Sequence, residues 1–127
     1  MSVAVGRQNA FTFGVYKMIV DMQEVVPAPA TLGLNFEKLS KFLMGIQKGY
    51  RQTVTYHNDL HGLDVAQMMY LMIKKGGLAQ VAKLNYVDLV SAIVAAACHD
   101  FDHDGFTNGY HVNFMTNRAI RYHDKSV

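Results

Sequence analysis

One segment limits the fold of this chain more than any other. Residues 85–100, NYVDLVSAIVAAACHD, open with a helix-capping asparagine, run almost wholly apolar from Leu89 to Cys98, and then meet a histidine and an aspartate. A stretch that is apolar nearly all round is stable in water only when other elements pack against it. At about ten residues its apolar run is too short to cross a bilayer. It predicts a central buried helix, in a chain that must supply the neighbours itself.

The rest of the sequence offers them. The chain has 127 residues, 50% of them hydrophobic, enough for one core and too little for two. Apolar positions at Val15, Met18, Ile19, Met22, Val25 and Val26 give helical spacing over 15–26. PAPATLG (27–33) ends that helix, because proline removes a donor and disfavours helix at the residue before it. Residues 1–14 read as a peripheral start. Asn35 suits the N-cap of a second helix over 35–50, with Phe36, Leu39, Phe42, Leu43 and Ile46 as its apolar stripe and Gly49 as its stop. Helical spacing returns over 57–77, and again over 110–123 after a loop. No strand alternation, repeat or low-complexity tract appears. The reading is all-α, five or six helices packed around 85–100, with residues 1–34 as a helix and loop leading into a domain at 35–127.

Charge narrows the function classes. Twelve basic and ten acidic residues leave +2, with no basic run longer than Lys74-Lys75, so neither a nucleic-acid nor a membrane-surface patch is present. The single cysteine, Cys98, excludes an internal disulfide framework and suits a reducing compartment. With no charged segment leading into an apolar core at the N-terminus, the expected location is intracellular, cytoplasmic by default.

Chemistry concentrates in two places. In HNDLH, His57 and His61 lie four apart, which on a helix sets them about 40° apart on one face, converging on a metal or a substrate. Asn58 and Asp59 are cap candidates at the same helix start. At the end of the buried helix, His99 and Asp100 place a nitrogen and a carboxylate on one edge, a ligand pair that Zn²⁺ accepts. The carboxylate is also able to bridge to a harder ion such as Mg²⁺ or Mn²⁺. Asp102, His103, Asp104 and Asn108 either surround such a centre or form a solvated loop, with Gly105 giving the backbone freedom to turn. Taken singly, each piece also fits a helix cap or a polar turn. Taken together, four ionisable groups at the end of an apolar helix need something to offset their desolvation, and a metal does so.

The double motif YHNDLHGLDV (56–65) and HDFDHDGFTN (99–108) resembles the class I cyclic nucleotide phosphodiesterase catalytic domain, a branch of the HD hydrolases. The tail RYHDKSV (121–127) is similar to the segment that precedes that family's L-E-N-H-H stretch, so the likeness covers about residues 35 to 127. The resemblance implies an all-helical HD-type bundle and hydrolysis of a 3′,5′-cyclic nucleotide, cAMP or cGMP, to the 5′-nucleotide. By the same resemblance His57 is the general acid that protonates the leaving 3′ oxygen. His61, His99 and Asp100 are ligands of Zn²⁺, and Asp100 also bridges to Mg²⁺ or Mn²⁺. His103 and Asn108 stand behind them around the metal waters, and Tyr56 lines the nucleotide pocket. Such ions lower the pKa of a bound water, and the poor alkoxide leaving group needs an acid that titrates near neutral pH, which suits histidine.

The chain departs from the pattern at Asp104, where the family usually has proline. Asp104 is expected either to add negative charge beside the metals and loosen the loop, or to point to solvent. The family domain is also longer, and the resemblance places a further metal ligand and the purine clamp beyond Val127. The expectation is therefore an incomplete domain, inactive alone and completed by the remainder of its own catalytic domain. Two other readings stay open: a different HD-group phosphohydrolase, and a non-catalytic subunit of a larger assembly.

Overall fold

The computed structural model describes residues 9–30, 33–123 and 125. Among these the chain forms α1 (Ala10–Val25), α2 (Phe36–Gly49), α3 (Asp59–Lys74), α4 (Leu78–Val81), α5 (Tyr86–Cys98), α6 (Asn108–Asn113) and α7 (Asn117–Tyr122), with no strand. The all-α reading holds.

The helix starts follow local side-chain chemistry. The first N–H groups of a helix lack intrahelical acceptors, and a short polar side chain supplies one. Asn35 accepts from the Lys38 N–H, and Thr107 and Thr116 accept from Tyr110 and Ala119 at the starts of α6 and α7. At α5 the cap is a reciprocal box: Asn85 accepts from Val87 and Asp88, and Asp88 accepts from the Asn85 N–H.

α3 lies at the centre, packed on α1 and on α5, while α1 also packs on α2 and α5. The core joins Phe11, Val15, Ile19 and Met22 of α1 with Leu43 of α2, Ala66 and Ile73 of α3, and Tyr86, Leu89, Ile93 and Ala97 of α5. Three expectations change here. α1 starts at Ala10, and Phe11 has no exposed surface, so the part of 1–14 that is described belongs to the core; residues 1–8 lie outside the described residues. α5 is buried on one face, while Val87, Ser91 and Ala95 on the other are exposed, so its all-round apolar pattern overstates its burial. The stretch 110–123 is two short helices, broken around Met115, whose φ of 45° no continuous helix allows.

At one end of the core α3 and α5 come very close. A Cβ on Gly62 would lie 2.7 Å from the Tyr50 hydroxyl and 2.9 Å from the Ala97 carbonyl oxygen. The Tyr50 hydroxyl donates to that carbonyl at 2.7 Å, satisfying an acceptor that the end of α5 would leave open. Burial pushes the Tyr50 hydroxyl up from 10.0 to about 12. Further along, Thr12 donates to Gln47, and Gln47 donates to the buried Asp59 carboxylate, tying α1, α2 and α3 together beside the start of α3.

Candidate metal centre and its cleft

The two motifs meet where α3 begins and α5 ends. His57 precedes α3, whose cap is Asn58, so the shared helical face expected for His57 and His61 is not what joins them. Asn58 does. Its side-chain oxygen accepts from the Leu60 and His61 N–H groups, and its amide NH₂ donates to the Val54 and Thr55 carbonyls, both at 3.1 Å. The incoming loop is thereby fixed to the helix. The His57 and His61 rings sit 5.6 Å apart and nearly perpendicular. The Tyr56 ring contacts both, at 4.9 and 4.6 Å between centroids, and is largely exposed.

Across from them, His99 is the residue that ends α5. Its Nδ1–H donates to the Ala96 carbonyl oxygen at 2.8 Å, which turns Nε2 toward Asp100. Asp100 follows, and a single oxygen, Oδ2, faces three imidazoles: His57 Nδ1 at 2.7 Å, His99 Nε2 at 3.1 Å and His61 Nε2 at 3.4 Å. Partial burial opposes ionisation of Asp100. The His57 hydrogen bond and the neighbouring imidazoles of His99, His57 and His103 outweigh it and hold the carboxyl below its ordinary range.

The chain then turns sharply. Asp102 and Gly105 take left-handed backbone conformations, at φ 59° and 88°. Phe101 packs on Tyr50, and Arg51 pairs with Asp102 at 2.7 Å. The His103 ring stacks on His57 at 4.1 Å with 17° between planes, and its Nδ1 accepts from the Gly105 N–H. Together His57, His99, Asp100, His103 and Asn108 line a polar cleft of about 370 Å³. His61 stands at its edge against His99, with 5.1 Å between rings.

Of the residues singled out from the sequence, His57, His99, Asp100, His103 and Asn108 line this cleft, and His61 and Tyr56 pack against His57; Asp102, paired with Arg51, lies outside it, and so does Asp104. That carboxylate lies neither beside the centre nor in solvent. Its Oδ2 meets Arg118 Nη1 at 2.9 Å and His111 Nε2 at 3.2 Å, and its Oδ1 accepts from the Phe106 N–H. Gly62 and Tyr50 are not among the residues that the sequence motifs point to. A glycine inside a helical pattern, directly after a candidate ligand, was the available signal for a close backbone approach.

Donor atoms of His57, His61 and Asp100 all lie within 4.8 Å of one another; His99 Nε2 stands outside that group but lies 3.1 Å from Asp100 Oδ2. Two nitrogens and a carboxylate on two rigid helix ends fit a divalent metal site. The profile of the family described as 3′5′-cyclic nucleotide phosphodiesterase matches residues 56–127.

The chain belongs to that family.

The match covers both histidine-bearing motifs. The 3′,5′-cyclic-nucleotide phosphodiesterase regA of Dictyostelium discoideum is 34% identical over 110 residues, 87% of this chain and 14% of that protein. The mouse high affinity cGMP-specific 3′,5′-cyclic phosphodiesterase 9A is 39% identical over 88 residues, 69% of this chain and 16% of that protein. The human dual specificity calcium/calmodulin-dependent 3′,5′-cyclic nucleotide phosphodiesterase 1B is 36% identical over 90 residues, 70% of this chain and 16% of that protein. The matched part of this chain spans about one-seventh of the length of these relatives. Among the described residues no helix is long and apolar enough to cross a membrane.

Proposed function

We propose that the whole protein hydrolyses a 3′,5′-cyclic nucleotide, cAMP or cGMP, to the 5′-nucleotide. In this reading His61, His99 and Asp100 hold Zn²⁺, and His57 supplies the proton to the leaving oxygen. Asp100 would also offer an oxygen to a second ion, Mg²⁺ or Mn²⁺, and the remaining ligands would come from elsewhere in the whole protein. Bound there, the ions would lower the pKa of a water and neutralise phosphate charge.

One observation carries the division of labour. Ligand atoms about 2.1 Å from a tetrahedral zinc ion lie about 3.4 Å from each other. The Asp100 Oδ2 distances to His61 and His99, 3.4 and 3.1 Å, suit two ligands of one ion. The 2.7 Å approach of His57 Nδ1 is that of a hydrogen bond, too short for a shared metal edge.

The residues then divide the work as follows. Asp100 accepts from His57 Nδ1–H. That leaves Nε2–H turned to the cleft as the acid. His103, stacked on the His57 face, keeps that ring from swinging. As water oxygen adds to phosphorus and the bond to O3′ breaks, Nε2–H transfers its proton to O3′, so no free alkoxide forms; the attacking water gives up one proton to solvent, and solvent returns one to His57. Asn108 lines the side of the same cleft, and Tyr56 shields the two imidazoles behind it.

The test uses the whole protein with cAMP and cGMP as substrates, and zinc content measured on the same samples. His57→Ala is expected to retain zinc and lose about 100-fold in kcat; His61→Ala is expected to lose the zinc itself. Absence of turnover by the metal-loaded wild type, or equal zinc loss in both variants, refutes the reading.

A further inference from the structure

The Asp104 cluster has no place in the chemistry above, yet its carboxylate has as many polar partners as that of Asp100 in the same loop. Its two oxygens take three donors: the Phe106 N–H at 3.1 Å, Arg118 Nη1 at 2.9 Å and His111 Nε2 at 3.2 Å. His111 is buried and tied by Nδ1 to Thr116 Oγ1 at 3.0 Å, the side chain that caps α7. One carboxylate therefore fastens the 99–107 loop to both α6 and α7. Burial works against the charge, but the Phe106 N–H, Arg118 and His111 hold Asp104 below the usual carboxylate range.

The loop needs such a fastening. It turns at Asp102 and Gly105, both at positive φ, a minority conformation for Asp102 and an open one for Gly105, so local backbone preference alone does not fix the short arm between them. His103 sits on that arm, next to Asp104, and its ring is the one stacked on His57. On the other side the arm has the exposed Arg51–Asp102 pair and the local bond from the His103 N–H to the Asp100 carbonyl. An exposed pair of that kind contributes little. A partly buried carboxylate with three donors, two of them on rigid helices, is a far stiffer restraint.

We propose that Asp104, clamped by Arg118 and His111, is a positioning residue that keeps the His103 ring seated on His57. It stiffens the loop through hydrogen bonds at the position where the resembling motif has proline. The consequence for turnover rests on the reading of His57 as the acid; the clamp itself does not.

The experiment therefore has two arms on the whole protein, comparing wild type with Asp104→Ala, Arg118→Met, the double variant and Asp104→Asn. The first is hydrogen exchange of peptides covering 99–107, which needs no activity. Asp104→Ala and Arg118→Met are each expected to speed exchange at the Gly105 and Phe106 amides by about tenfold or more. The double variant is expected to exchange no faster than Asp104→Ala alone, because both remove one restraint. Asp104→Asn, whose single carbonyl oxygen replaces only one of the two carboxylate oxygens, keeps either the Phe106 acceptor or the one shared by Arg118 and His111, and is expected to recover only part of the protection. The second arm reads kcat and KM separately: kcat falls about tenfold in Asp104→Ala with KM within about twofold, and Asp104→Asn regains part of it. Unchanged exchange in Arg118→Met, or additive effects in the double variant, overturns the clamp. Faster exchange with unchanged kcat in an active enzyme overturns the positioning role. If the wild type turns over no cyclic nucleotide, the functional reading fails by itself, and the exchange arm still decides for or against the clamp.

Discussion

Replacing Gly62 by alanine tests how the fold sets the metal site. The new Cβ would sit 2.7 Å from the Tyr50 hydroxyl and 2.9 Å from the Ala97 carbonyl oxygen. Ordinary contact for such atoms begins near 3.4 Å, so the neighbours must retreat by about 0.7 and 0.5 Å. The carbonyl is backbone of α5 and cannot retreat alone. Either the helices separate or the Tyr50–Ala97 hydrogen bond breaks, leaving a buried hydroxyl and a buried carbonyl short of partners. Overpacking costs about 1–3 kcal/mol and the lost pairing about 1–3 more. Alanine's better helix propensity returns about 1 kcal/mol. The expected net loss is about 3 kcal/mol, a fall in Tm of about 5–10 °C. His61 directly precedes Gly62 and Asp100 follows α5, so separation also widens the 3.4 Å gap between them. Metal shells tolerate about 0.2 Å, so zinc affinity is expected to fall at least about tenfold. Calorimetry and competition with a chromophoric zinc chelator on the whole protein measure both. Tyr50→Phe removes the nearer clashing atom, so the double variant should lose less than the two single variants together. Wild-type Tm and zinc affinity in Gly62→Ala, or strictly additive losses in the double variant, would refute the reasoning.

Three further outcomes follow from the same structure. Asn58→Asp keeps the cap oxygen but turns an oxygen toward the Val54 and Thr55 carbonyls in place of two donors; a loss of about 1–2 kcal/mol is expected by denaturant titration, the helix dipole notwithstanding. Because burial raises the Tyr50 hydroxyl from 10.0 to about 12, the stability it contributes is complete below pH 10 and is lost as pH climbs toward 12; urea midpoints across that window should fall in wild type and stay flatter in Tyr50→Phe. Phe11→Ala empties a fully buried site between α1 and Tyr50, and about 3–5 kcal/mol should disappear from the unfolding free energy; a change below about 1 kcal/mol would show that α1 is not part of the core.

What the sequence revealed follows from the range of the interactions. Asn35 and Asn85 cap their helices within four residues, so their side chains announced the starts of α2 and α5. The two histidine motifs were legible as partners only because their combination is distinctive. Neither spacing says that Asp100 turns one oxygen to three rings. The break at Met115 was hidden because 110–123 keeps its apolar period through the turn, although Thr116 was an available cap signal. Asp104 was misplaced for a different reason. Its partners Arg118 and His111 lie 14 and 7 positions away on separate short helices, and no periodicity in the chain joins them.

Asn58 has one further consequence. With two bonds donated and two accepted, its amide has no capacity left, and the loop carrying Tyr56 and His57 moves only as α3 moves. His99, held to Ala96, and Asp100 travel with α5 in the same way. The centre is thus a pair of jaws, each rigid within itself, and the separation at Gly62 is its main adjustable coordinate. A change there alters the distances from both imidazoles of the α3 jaw to Asp100 in concert, and leaves the spacing of His57 from His61 as it was.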